Sequence, residues 1–172
     1  MKTHFALLGA SLLALAPFAR AADYTVSLSQ VHLCCDSCVK DAKEAVTGVP
    51  GASLDADKTA STVTITASDA ATAQKAVDAL VGAGYFGVPS DPAIHVATSS
   101  AKDGEVQGLK VSGAHLCCKM CVKDFNKAVS KVQGVTGTDA AKDAESVQIT
   151  GTFNAKDVLS ALNAAGFSAQ VQ

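Results

Sequence analysis

Along this chain the apolar residues change their period repeatedly, and they do so in the same order twice. Val26 and Leu28 alternate with polar neighbours, as do Leu109 and Val111, which is the two-residue period of a half-buried strand. Val39, Ala42, Val46 and Val49 then recur at three- and four-residue spacing, and Val122, Phe125, Val129 and Val132 repeat that spacing. An amphipathic helix is expected in both places. Two short strands should follow, around Leu54 and Val63 to Ile65 with the polar turn Asp57-Lys58-Thr59 between them, and around Val135 to Thr138 and Val147 to Ile149. A second helix carries Ala73, Ala76, Val77 and Leu80 on one face, matched by Ala155, Val158, Leu159 and Leu162. It stops at Gly84 or Gly166, where glycine suits the left-handed residue beyond a helix end. A last strand follows Tyr85 or Phe167.

The order β-α-β-β-α-β, with right-handed crossovers, predicts an α+β fold of two ferredoxin-like units, each an antiparallel four-stranded sheet with two helices on one face. The collinear match supports duplication of a whole unit: Val31 to Ser53 aligns with Ala114 to Thr136 without a gap. Residues 22–90 are expected to form the first domain and 105–172 the second. Residues 91–104, with Asp91-Pro92, Ser99-Ser100 and Asp103-Gly104, lack apolar periodicity and read as a linker.

Residues 1–21 read as a signal peptide: Lys2 supplies the charge, Phe5 to Phe18 the apolar run, and Ala19 and Ala21 an A-x-A cleavage site. The run is too short to span a bilayer, so no stable membrane insertion is expected, and the location is periplasmic or secreted. The 172 residues carry 14 basic and 16 acidic side chains, and removal of Lys2 and Arg20 leaves 12 against 16, a formal charge of −4. Nucleic acid is a poor partner for such a surface.

The chemistry is concentrated in H-L-C-C-x-x-C-V-K-D, written at His32 to Asp41 and again at His115 to Asp124, and holding every cysteine of the chain. Cys34, Cys35, Cys38, Cys117, Cys118 and Cys121 are the candidate metal ligands, with His32 and His115 as further candidates, because thiolates and imidazoles are what soft and borderline metals select. A cysteine in a loop and another in the following first helical turn face the same way, and the exposed N–H groups of the helix start favour their thiolates. Lys40 and Lys123 read as solvated surface lysines. Structural disulfides are the competing reading in an oxidising compartment. Each cluster has an odd three cysteines, however, and bonding neighbours would strain the bridge. A Cys35–Cys38 bridge remains a plausible oxidised resting state. His4 and His95 suggest no chemistry.

A β-α-β-β-α-β unit with CxxC between its first strand and first helix, and G-Y or G-F opening its last strand, resembles the heavy-metal-associated domain of copper chaperones, metal-transporting P-type ATPases and the periplasmic mercury-binding protein. The resemblance implies that Cys35 and Cys38, with Cys118 and Cys121, take the two metal-ligand positions, and that Tyr85 and Phe167 take the aromatic position beside the metal loop. Two features depart from the family. Cys34 and Cys117 are additional thiols, and taking Val26 and Leu28 as the inward strand pair lengthens the metal loop by two residues, leaving Gln30 and Gly113 outside the strand.

The expectation is a soft-metal-binding protein without catalytic turnover, a Cu(I) chaperone or scavenger with one metal per domain. Zn(II), Cd(II) or Hg(II) on the same clusters is the alternative. The expected partners are the metal ion and a metal-transporting membrane protein or another metal-binding protein. Within one loop, three thiolates suit Cu(I), whereas addition of His32 would give a Cys₃His zinc set. The three-thiolate form is preferred, because thiolates alone satisfy Cu(I). A thiol–disulfide oxidoreductase is the reading from another class, since it too places CxxC at a helix start. The strand–helix order, the lack of tryptophan and the lack of proline beside the paired cysteines weigh against it.

Overall fold

The computed structural model describes residues 23–172; the expected signal segment lies outside them. The first half runs β1 (Tyr24–Ser29), α1 (Asp36–Thr47), β2 (Ala52–Asp57), β3 (Thr62–Ala67), α2 (Ala70–Gly82) and β4 (Val88–Pro89). After β5 (Glu105–Val106), the second half runs β6 (Leu109–Ser112), α3 (Lys119–Val129), β7 (Val135–Thr138), β8 (Ser146–Gly151), β9 (Phe153–Asn154), α4 (Ala155–Ala164) and β10 (Gln170–Val171). Each half therefore holds a mixed α/β unit with a four-stranded antiparallel sheet, ordered β2-β3-β1-β4 in the first and β7-β8-β6-β10 in the second.

The alternating strands put their apolar sets on the covered face. Val26 pairs with Ile65 and Leu28 with Val63, while Leu109 pairs with Ile149 and Val111 with Val147. All eight side chains are buried against the helices, whose inward residues include Ala42, Val46, Val77 and Leu80, then Phe125, Val129, Val158 and Leu162. Asp69 and Asn154 cap α2 and α4, accepting from the N–H groups of Thr72 and Lys156. The β7–β8 ladder carries a register shift, between Val135 and Gly137.

Each metal loop leaves the first strand through a left-handed residue, Gln30 at φ 61° and Gly113 at φ 76°. This turn is how the longer loop is accommodated: Leu28 is the last inward strand residue and Gln30 is exposed. The β-hairpin beside each loop then holds it. Val31 N–H donates to the Ser61 carbonyl at 2.9 Å, and Asp143 N–H donates to the Leu116 carbonyl at 2.9 Å.

Residues 91–104 carry no regular structure, yet they are tied down at several points. Ile94 is buried, His95 and Gln74 exchange hydrogen bonds of 2.7 and 2.8 Å, and Ser99 Oγ accepts from Val171 N–H at 3.0 Å. Beyond the linker, β5 pairs with β9, a small ladder that the apolar pattern did not announce.

The halves meet through their helix-ending glycines. Tyr85 and Phe167 form an antiparallel bridge, with Phe86 N–H donating to the Gly166 carbonyl and Ser168 N–H to the Gly84 carbonyl, each at 2.9 Å. Gly84 lies at φ 90°, and a Cβ there would stand 2.3 Å from the Gly113 carbonyl oxygen and 2.4 Å from His115 N. Gly166 lies at φ 83°, and its Cβ would stand 2.3 Å from His32 N and 2.5 Å from the Gln30 carbonyl oxygen. Each glycine thus lets the metal loop of the opposite half approach its backbone. Gly84→Ala and Gly166→Ala should each lower stability in thermal or urea unfolding by more than about 2 kcal/mol, whereas Gly48→Ala, in open space at φ −73°, should change it by less than about 1 kcal/mol. Equal effects at the three positions would show that the close approach is not what requires glycine.

Candidate metal centre

The two loops crossing this junction carry the cysteines to one place. Cys35 and Cys118 are the N-cap residues of α1 and α3, and Cys38 and Cys121 lie in the first turns. Cys34 and Cys117 precede the caps. Cys38 Sγ lies 3.7 Å from Cys121 Sγ and 3.6 Å from Cys117 Sγ, while Cys34 Sγ lies 3.5 Å from both Cys118 Sγ and Cys121 Sγ. Distances within each loop are no shorter: Cys34 to Cys38 is 3.5 Å, Cys35 to Cys38 3.6 Å, Cys117 to Cys121 3.7 Å and Cys118 to Cys121 3.5 Å. The two clusters, each expected to hold one metal in its own half, lie together as a single assembly of sulfurs across the junction. All six cysteines are free thiols; Cys38 and Cys121 are fully buried, and the other four are partly so.

Aromatic rings wall the assembly crosswise. His115 stacks on Tyr85 of the first half with centroids 4.4 Å apart, and His32 stacks on Phe167 of the second at 4.2 Å. The Tyr85 hydroxyl lies 2.9 Å from His115 Nε2 and donates to the Cys38 carbonyl at 2.8 Å. His115 brings a ring nitrogen within 4.8 Å of the Cys38, Cys117 and Cys121 sulfurs, and His32 does so for Cys34 and Cys121. The Nε2 atom of His32 is buried without a hydrogen-bond partner. Burial lowers the His32 pKa, so the imidazole is held neutral, the form in which it ligates metals.

The thiols do not ionise alike. Hydrogen bonding from Cys121, reinforced by His115, Cys34 and Cys117, draws the Cys38 pKa down against its burial, and the same bond raises Cys121. Burial raises Cys34 and Cys117. Neither N-cap cysteine makes a formal capping hydrogen bond, yet the N–H of Cys121 faces the Cys118 sulfur and, with other donors, lowers it to about 7. Loss of a proton is therefore favoured at Cys38 and Cys118 and opposed at Cys34, Cys117 and Cys121.

The flanking lysines are Lys58, paired with Asp36, and Lys142, 2.6 Å from Asp143; both feel the loop sulfurs. Lys40 and Lys123 are exposed, as their surface reading required. What sequence reasoning missed is the crosswise contact. Tyr85 and Phe167 sit under the histidine of the other half, and the only signal was that G-Y and G-F recur with the two H-L-C-C loops. Among the described residues no helix is long and apolar enough to cross a membrane.

No family model matches the chain. Among solved structures, it is similar to the N-terminal soluble domains of Bacillus subtilis CopA, at 15% identity and a TM-score of 0.30 over 88% of this chain and 95% of that one. A structure of the water-soluble region of the P-type ATPase CopA from Bacillus subtilis is similar at 18% identity and a TM-score of 0.30, over 88% and 93%.

Thiolates alkylate and thiols do not, so the ionisation order has a direct readout. With iodoacetamide and peptide mass mapping, Cys118 should react with a midpoint near pH 7, and Cys34 and Cys117 should lag until far more alkaline pH. Comparable rates for Cys34 and Cys118 at pH 7 would contradict the arrangement of protons described.

Proposed function

We propose that the protein is a secreted or periplasmic tandem heavy-metal-associated-domain protein, built of two ferredoxin-like units, that binds Cu(I) and acts as a copper chaperone or scavenger without catalytic turnover. The observation that carries this reading is the convergence of six free thiols from both halves on one partly buried assembly. An all-sulfur ligand set favours Cu(I) over hard cations, and its tightly apposed thiols lose their protons to the incoming metal. The signal-like segment 1–21 supports the location, and the family resemblance supports a metal-transporting membrane protein or another metal-binding protein as the exchange partner.

Retention of Cu(I) by the full chain against a competing chelator such as bathocuproine disulfonate tests the reading. Cys38→Ser removes the sulfur that neighbours Cys34, Cys35, Cys117 and Cys121, and should weaken retention at least about 100-fold, or roughly 2.7 kcal/mol. Lys40→Ala should leave it unchanged. Undiminished retention in Cys38→Ser would remove copper binding from this assembly. Insulin reduction by the reduced protein should be negligible, and turnover comparable to that of a dedicated oxidoreductase would favour the enzyme reading instead.

One observation favours Zn(II) as the second reading. Cys38, Cys117, Cys121 and His115 place four ligand atoms within 4.8 Å of one another, a Cys₃His set that suits a tetrahedral ion. This set crosses the halves, unlike the one expected within a single loop from His32, Cys34, Cys35 and Cys38. If zinc is the cargo, His115→Ala should abolish tight zinc binding and leave Cu(I) retention intact.

A further inference from the structure

The six sulfurs have a definite connectivity. Cys34 neighbours Cys38, Cys118 and Cys121; Cys38 also neighbours Cys35, Cys117 and Cys121; and Cys121 also neighbours Cys117 and Cys118, all at 3.5–3.7 Å. Cys35 lies within 4.8 Å of Cys34, and Cys35, Cys117 and Cys118 lie within 4.8 Å of one another. The pairs left over are Cys34 with Cys117, Cys35 with Cys121 and Cys38 with Cys118, and these share no residue. The twelve close pairs, eight at 3.5–3.7 Å and four within 4.8 Å, have the connectivity of the edges of an octahedron.

We propose that this octahedron of sulfurs is the frame of one tetranuclear Cu(I)–thiolate cage, a deepening that rests on the copper reading above. The faces Cys34–Cys118–Cys121 and Cys38–Cys117–Cys121 have edges of 3.5–3.7 Å, which put the face centre about 2.1 Å from each corner, and metal–thiolate bonds are about 2.3 Å, so an ion fits on such a face after a small outward shift. The centre of the octahedron would demand six thiolates around one ion, which a soft ion of low coordination does not take. One ion on a face would leave three of the six sulfurs unused. Ions on four alternate faces use all of them: each metal has three sulfurs and each sulfur bridges two metals.

Charge selects the same stoichiometry. Six thiols and four Cu(I) ions give a cage of charge −2 and six released protons, with no change of oxidation state. Six thiolates around a single Cu(I) would leave −5 in a partly buried site, at a far larger desolvation cost. The faces are divided between the halves, since Cys34, Cys35 and Cys38 form one face within the first loop whereas Cys38, Cys117 and Cys121 form another across the junction. The His115 and His32 rings, stacked on Tyr85 and Phe167, lie beside the frame.

The test is anaerobic titration of the reduced full chain with Cu(I) supplied as its acetonitrile complex, followed by native mass spectrometry and copper X-ray absorption. The expected result is a monomer whose dominant loaded species carries four coppers less six protons, with one-, two- and three-copper species minor and a short copper–copper scattering path. Saturation at one or two coppers without copper–copper scattering would overturn the cage and leave the copper reading standing. Four coppers found only in a dimer would also overturn it, since the frame is complete within one chain. Failure to take up any copper would sink the copper reading itself.

Discussion

The assembly depends on two glycines having no side chain. At Gly84 and Gly166 the backbone of one half lies against the metal loop of the other, closer than any Cβ would permit. The approach is secured by reciprocal N–H···O bonds at the Tyr85–Phe167 bridge. Buried backbone bonds of this kind contribute about 1 kcal/mol each, so the bridge alone is a modest attachment. Two fully buried aromatic rings, each capped by a histidine from the opposite loop, add to it. The groups that join the halves are thus the groups that position the sulfurs.

The two halves meet through corresponding residues. Two copies of one unit meeting through equivalent surfaces give an interface in which each contact is made twice, with the roles exchanged. His32 on Phe167 and His115 on Tyr85 are such a pair, as are the bonds at Gly166 and Gly84. Differences between the copies enter as chemistry. Tyr85 has a hydroxyl to hydrogen-bond His115, while Phe167 has none, and His32 Nε2 is left buried and unpartnered. The two histidines are related in sequence and unlike in what they can do.

Much of this was legible in the residues. The alternation at Val26 and Leu28, the helical spacing from Val39 to Val49 and the repeat itself located the principal strands and helices of both halves, and the parity at Gln30 and Gly113 located the longer loop. The cysteines were legible as a chemical set because their types and spacing belong to each loop alone. Their union was not, since it depends on the packing of two units whose apolar faces are already used internally. Its mark in the sequence is the recurrence of G-Y and G-F, and a glycine ending a helix reads the same whether or not another chain segment lies against it. The β5–β9 ladder escaped notice because two residues are too few to establish a period.

The thiols also set a condition on the junction that holds them. Fully ionised, sulfurs at 3.5–3.7 Å would repel strongly in a partly buried site, so their apposition requires that most carry either a proton or a metal. Shared protons satisfy the condition weakly, because an S–H group is a poor donor. Metal–sulfur bonds would satisfy it strongly and would span the junction, so the free energy of metal binding would add to the docking of the two halves. Release of such a metal would then require the same contacts to loosen, and an acceptor would have to compete both with the sulfurs and with the packing of Tyr85 and Phe167 beneath the two histidines.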